Sequence, residues 1–218
     1  MFMKNSKLYD KEYYMEIEKS GPFREEFEGD KNNRRNVALT LFKKIGAKKI
    51  LDAGCGPGFD ALFFMKHGFD VYACDISKKV IKYAKNKNPG PKYFVWNIEE
   101  KPIKMKFDGI YAFEVIEHIF DYDIFLTNLN KSLNEEGLLI LSTPNILAPR
   151  NRLNILIGKD VWFETKYHIH FFSPRILKIS LERNGFEVIK IIGSGKISFL
   201  GPNFSGSIIS IAKKICNI

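Results

Sequence analysis

The apolar positions of this chain come in two rhythms that alternate. Short continuous runs, KKILDAG (48–54), FDVYACD (69–75), KYFVWNI (92–98), FDGIYAFEV (107–115) and GLLILSTPN (137–145), have the length and β-branched or aromatic content of buried strands. Between them the spacing changes to that of helices. Val37, Ala38, Leu41, Phe42 and Ile45 recur at helical intervals within 30–45, and a shorter helix is predicted over 9–19. GFDALFFMKHG (58–68) reads as a helix closed by Gly68, and Ser77 as the cap of the helix SKKVIKYAKNK. The stretch from Ile116 to Leu133 is predicted to be helical throughout. Ser173 and Pro174 read as N-cap and first position of a last helix ending at Asn184-Gly185. FEVIKIIG (186–193) and GSIISIAKK (206–214) are two further strands joined by a short loop, which predicts that they pair antiparallel.

Strands that are apolar on both faces, alternating with helices, imply a mostly parallel sheet covered on both sides. The fold class is α/β: a Rossmann-like, doubly wound, seven-stranded, mostly parallel sheet with an antiparallel C-terminal edge strand. A single domain over 1–218 is expected. N-terminal helices or a lid occupy 1–47, the core 48–145, an insertion 146–172, and the last helix and edge strands 173–218. The insertion interrupts the alternation at the end of a strand, where loops of such folds carry function.

Composition changes this picture little. Hydrophobic residues make up 45% and charged residues 27%, a globular balance that excludes a disordered chain. No apolar run reaches the ~18 residues of a membrane helix. The N-terminus lacks a signal-type apolar region. Three scattered cysteines, Cys55, Cys74 and Cys216, form neither a disulfide framework nor a zinc motif, which argues for a reducing cytoplasm. The net charge of +9 divides into +4 over 1–50, −2 over 51–144 and +7 over 145–218. Basic flanks around a mildly acidic middle would attract an anionic acceptor.

Chemistry enters at LDAGCGPGFD (51–60), which ends a strand and opens a helix. Gly54, Gly56 and Gly58 permit close approach of backbone to a ligand, and helix N-terminal amides face whatever sits there. Phe59 stands where a dinucleotide fingerprint wants glycine or alanine, which disfavours a pyrophosphate. Asp75, closing the second strand, is placed to accept hydrogen bonds from a ribose diol. EVIEHIF (114–120) sets Glu114, Glu117 and His118 at i, i+3 and i+4, on one face if a helix begins there. Two carboxylates and an imidazole suit a divalent ion, and His168 and His170, at strand-like spacing in the insertion, are placed to close over the same site. His118 is the candidate general base.

LDAGCGPGFD followed by CDIS resembles the class I S-adenosylmethionine-dependent methyltransferases from about Lys48 to Lys214. The resemblance implies that Asp52, Gly54, Cys55 and Gly56 hold the amino-acid part of the cofactor, Asp75 its ribose and Ile76 its adenine. Asn97 stands where the family usually has an Asp facing the adenine amine, and Ile98 and Phe113 complete the cofactor positions. ExxEH and STPN are similar to the ubiquinone-biosynthesis O-methyltransferases. ExxEH with a further histidine also resembles the terminal-ribose RNA O-methyltransferases, which hold a metal ion. These resemblances imply S-adenosylmethionine as cofactor, S-adenosylhomocysteine as product, and a metal site drawn from Glu114, Glu117, His118 and His168 or His170. The expected reaction is O-methylation of a small-molecule or lipid-like acceptor, with catalysis by His118, Glu114 and Glu117. RNA O-methylation and nicotinamide-dependent oxidoreduction are the alternatives. Nucleic acid is the less favoured partner, since no RNA-binding module is present. The apolar residues of 146–157 offer an acceptor lid, a membrane-surface patch or a homodimer contact, and Tyr9, Tyr13, Tyr14, Phe23, Arg24 and Arg34 a lid over the cofactor.

Overall fold

The computed structural model describes residues 34–161, 168–195 and 198–215. The helix expected over 9–19 and most of the N-terminal lid lie outside the described residues, as does Cys216. In chain order the elements are α1 (Arg34–Lys44), β1 (Lys49–Ala53), α2 (Phe59–Lys66), β2 (Asp70–Asp75), α3 (Lys78–Lys87), β3 (Lys92–Val95) and β4 (Phe107–Phe113). They continue with α4 (Tyr122–Ser132), β5 (Leu133–Pro144), α5 (Pro149–Leu156), α6 (Pro174–Arg183), β6 (Phe186–Ser194) and β7 (Ser207–Lys214).

The seven strands form one sheet in the order β3-β2-β1-β4-β5-β7-β6. β1 to β5 are mutually parallel. The last two strands pair antiparallel with each other, as their short connection requires. β7 also pairs antiparallel with β5, so it lies one place in from the edge, and β6 forms the edge itself.

Side chains of the central strands alternate between two apolar layers. On β4, Ile110 and Ala112 join one layer, and Tyr111 and Phe113 join the other. The first layer packs on Phe125 and Leu129 of α4 and Leu177 and Leu181 of α6. The second packs on Phe42 of α1 and Phe64 of α2. Strand pleat alone produces this division, and it explains why the strands read as continuous apolar runs.

The helix expected from Ile116 to Leu133 is broken. A 3-10 turn covers Ile116–His118, and α4 begins only at Tyr122. The break has a local cause. Glu99 Oε1 accepts the backbone N–H groups of Phe120 (2.8 Å) and Asp121 (3.0 Å), which a continuous helix would direct to its own carbonyls. Asp121 then caps α4 by accepting the Ile124 N–H at 3.0 Å. The insertion contains α5, and its two ends are clipped together: the Ile146 N–H donates to Phe172 O at 3.0 Å.

Phe125 is fully buried at the centre of the first layer. Phe125→Ala is expected to destabilise the fold by about 3–5 kcal/mol, read by urea titration at neutral pH. A loss below about 1 kcal/mol would mean that this layer does not carry the packing described.

Candidate active site

Adjacent strands β1 and β4 send their connections to opposite faces of the sheet, so their C-terminal ends border a crevice. The glycine loop lies on one side of it. Gly54 (φ 84°) and Gly58 (φ 85°) adopt left-handed backbone that favours glycine. A Cβ on Gly54 would also meet Val115 Cγ2 at 2.6 Å. The loop is fastened to β2. The Gly54 and Cys55 N–H groups both donate to Cys74 O at 2.9 Å, and the Gly56 N–H donates to Asp75 Oδ2 at 3.1 Å. Asp75 Oδ1 accepts the Ser77 N–H at 2.9 Å, and Ser77 caps α3 through the Val80 N–H at 3.2 Å. Asp75 therefore sits buried at the junction of the loop and the next helix, its carboxylate held by backbone on both oxygens.

Asp52 lies below the loop and is 3% exposed. Burial, with the charge of Asp60 adding to it, pushes its carboxyl well above the usual carboxylate range. Cys55 and Cys74 are free, buried thiols, both pushed up by burial, so neither is activated as a nucleophile. Phe113 ends β4 across from the loop, and Ile98 is buried in the first apolar layer. Asn97 Oδ1 accepts the Glu99 N–H at 3.1 Å and its amide donates to Glu100 at 3.2 Å.

The ExxEH residues do not share one helical face. Glu114 has a left-handed backbone (φ 56°), uncommon for a residue with a Cβ and costing of order 1 kcal/mol. Its N–H donates to Ser142 O at 3.0 Å, which holds it there. Its carboxylate accepts from Ser142 Oγ at 2.7 Å and lies 3.5 Å from Arg34 Nη1. Arg34 also stands over the Phe113 ring, 5.4 Å from its centroid. Glu117 turns the other way. It is 1% exposed, Oε2 accepts from Thr143 Oγ1 at 3.0 Å, and Oε1 has no hydrogen-bond partner. Burial first, and the charge of Glu114 second, push its carboxyl well up.

The insertion returns onto this turn. The Ile169 and His170 N–H groups both donate to Glu117 O, at 2.9 and 3.2 Å. That brings His168 against His118, with ring centroids 4.8 Å apart. One ligand atom each from Glu117, His118 and His168 lies within 4.8 Å of the others. Burial depresses the His168 pKa, which favours the neutral imidazole a metal or a proton requires. His170 is directed elsewhere: its Nε2 is 3.2 Å from Phe120 O and its ring meets Tyr122 edge-on. Of the proposed metal ligands, then, the structure gathers Glu117, His118 and His168 and separates Glu114 and His170 from them.

Beside this group lies a cavity of about 150 Å³, walled by Glu117, Asn145, Ile146, Val161, His168 and Phe171 among others. The supports of both acids were missed in the sequence. Ser142 and Thr143 follow the apolar run Leu138–Leu141 of β5, and that change of character was the available signal. Arg34 and Arg35 occupy the first turn of α1, where the helix dipole disfavours cations. The compensating acids are Glu114 for Arg34 and Asp60 for Arg35.

The family model of the methyltransferase domain matches residues 24–191. This chain belongs to the methyltransferase domain family. A ubiquinone biosynthesis O-methyltransferase of Rickettsia bellii is 29% identical over 160 residues, covering 70% of this chain and 67% of that protein. Its counterpart in Rickettsia akari is 30% identical over 159 residues, covering 69% and 63%. Among solved structures, magnesium protoporphyrin IX methyltransferase from Synechocystis PCC 6803, with bound SAH, superposes with a TM-score of 0.70 at 17% identity, covering 97% of this chain and 99% of that one. An S-adenosylmethionine-dependent methyltransferase from Clostridium acetobutylicum gives 0.66 at 13% identity, covering 99% of each chain. The Rossmann-like sheet is thus that of S-adenosylmethionine-dependent methyltransferases, and methyl transfer with that cofactor is the class of activity on which family and fold agree.

Because the folded protein holds the Asp52 proton more tightly than the unfolded chain does, ionising Asp52 costs stability. That cost grows as pH rises from about 4 toward the raised folded value. Asp52→Asn removes it. The stability of the variant relative to the natural protein should therefore rise between pH 4 and 7 in urea titrations, and an unchanged difference would contradict the burial described.

Proposed function

We propose that this chain transfers the methyl group of S-adenosylmethionine to a hydroxyl of a small or amphiphilic acceptor seated beside Glu117, His118 and His168. The observation that carries this reading is that Glu117 and His168 line a cavity of about 150 Å³, with a ligand atom of His118 within 4.8 Å of both. A cavity of that measure accommodates a six-membered ring. Its walls are partly apolar (Pro144, Ile146, Val161, Phe171), which suits such a ring better than a charged polymer. The names of the curated relatives agree with oxygen as the acceptor atom.

Asp52, Gly54, Cys55 and Gly56 would face the amino-acid part of the cofactor, with Arg34 beside them. Asp75 would take the ribose, and Ile76, Asn97, Ile98 and Phe113 would border the rest. Bound there, S-adenosylmethionine supplies an electrophilic methyl group on a sulfonium. The residues' task is to align the acceptor oxygen, exclude water and take up the hydroxyl proton. Alignment supplies up to about 7–11 kcal/mol in favourable cases. His118 receives the proton, and Glu117, 1% exposed, lies beside it. The unpaired Glu117 Oε1 and two nearby imidazoles also fit a divalent cation, which Glu117, His118 and His168 would hold and which would lower the hydroxyl pKa. Among the described residues no helix is long and apolar enough to cross a membrane.

Turnover with a panel of phenols and catechols tests the reading. Glu117→Gln should lower kcat by at least a hundredfold with S-adenosylhomocysteine affinity within about threefold, and full activity in the variant would overturn the assignment. Asp75→Ala should weaken S-adenosylhomocysteine more than tenfold by calorimetry, about 1.4 kcal/mol; unchanged affinity would remove the ribose role. If a cation takes part, chelation should abolish turnover and Mg²⁺ or Mn²⁺ restore it, whereas full activity in chelator leaves His118 acting alone.

A further inference from the structure

STPN at the end of β5 has so far accounted for Ser142 and Thr143, which hold the two glutamates. The last residue of the motif, Asn145, bonds to neither. It is 1% exposed, and every polar group it owns is engaged. Its amide nitrogen donates to Pro202 O and Ser205 O, each at 2.9 Å. Its amide oxygen accepts the Leu147 N–H at 3.0 Å. Its backbone N–H donates to Gly206 O at 2.9 Å, and its carbonyl accepts from the Ala148 N–H (3.0 Å) and from Asn151 Nδ2 (3.4 Å). It also pairs with Phe172 in a single parallel bridge.

These partners belong to three segments far apart in the sequence: the start of α5, the arm that returns from the insertion, and the turn before β7. All three border the cavity, whose walls include Ala148, Asn151, Phe171 and Gly206 as well as Asn145 itself. The amide is used as two donors and one acceptor. Aspartate has the shape and the acceptor but no donor, and would set a carboxylate against two carbonyl oxygens. A second link runs parallel to it: Arg152 donates from Nε to Leu147 O and from Nη2 to Asn203 O, both at 2.8 Å.

We propose that Asn145 is a positioning residue for the acceptor: its side-chain amide ties the turn at 201–205 and the start of α5 to the end of β5, and thereby fixes the walls of the cavity beside Glu117. The side-chain amide of Asn145 is taken up by these backbone groups and makes no hydrogen bond to the cofactor loop. Its loss should loosen acceptor binding and leave the cofactor half of the site as it was. The inference rests on the reading of the cavity as the acceptor side.

The test compares Asn145→Asp with the natural protein, and Asn145→Ala, which buries no charge, serves should the first variant not fold. With catechol as acceptor probe, KM for catechol should rise at least tenfold, with kcat within about threefold and S-adenosylhomocysteine affinity within twofold. Hydrogen exchange should rise at least tenfold at 146–152 and 201–206 and stay unchanged in β1 and β4. An unchanged KM would overturn the proposal, and so would exchange that rises equally across the sheet, since that marks a residue needed only for the fold. Should the natural protein not methylate catechol, the acceptor class proposed above fails, and the exchange pattern alone still decides whether Asn145 ties these walls together.

Discussion

The site depends first on a topological constraint. β1 and β4 lie side by side and parallel, yet the chain leaves them toward opposite faces of the sheet. No connection covers the gap at their C-terminal ends, so a crevice is built into the winding itself. What fills its rim follows from that geometry. The glycine loop leaves β1 and is fastened to β2 through Cys74 O and Asp75. The turn with both glutamates leaves β4 and is fastened to β5 through Ser142 and Thr143. Each half of the crevice is thus anchored to the neighbouring strand farther from it, which leaves the space between them open for a cofactor and its acceptor.

A second constraint is electrostatic. Two carboxylates three residues apart would repel if both faced the same apolar space. The left-handed backbone at Glu114 separates them. Glu114 turns toward Arg34, a cation, and Glu117 turns into the buried region with two imidazoles. The strain at one residue therefore gives the two acids different environments, one paired and partly solvated, the other buried and held by a single hydroxyl. Two acids in unlike surroundings can serve two roles, and in the proposed function those would be the cofactor side and the acceptor side.

The sheet was legible because strands covered on both faces carry continuous apolar runs, as Ile50-Leu51 in β1, Val71–Cys74 in β2, Ile110–Phe113 in β4 and Leu138–Leu141 in β5 do. The antiparallel pairing of the last strands followed from the length of their connection. Their order at the edge was not legible, because a short loop constrains which strands pair but not which of them joins β5. The Ile116–Leu133 helix misled for a physical reason: its periodicity continues through the break, and what interrupts it is the distant Glu99. For the same reason the three ExxEH residues looked like one face. The approach of His168 to His118 depends on two backbone bonds to Glu117 O, which no side-chain pattern announces. The glycine loop and Asp75, by contrast, are local features of two successive strand-to-helix junctions, and each stands at the strand end where the sequence put it.

The central claim is that the methyl group goes to oxygen at this site. The most direct measurement incubates the protein with S-adenosylmethionine carrying a ¹³C-labelled methyl group and the small-molecule and lipid fractions of a cell extract, and reads the product by NMR. The account predicts a new methyl carbon with the chemical shift of a methoxy group, absent when Glu117→Gln is used. Label appearing only on nitrogen, carbon or RNA would contradict it.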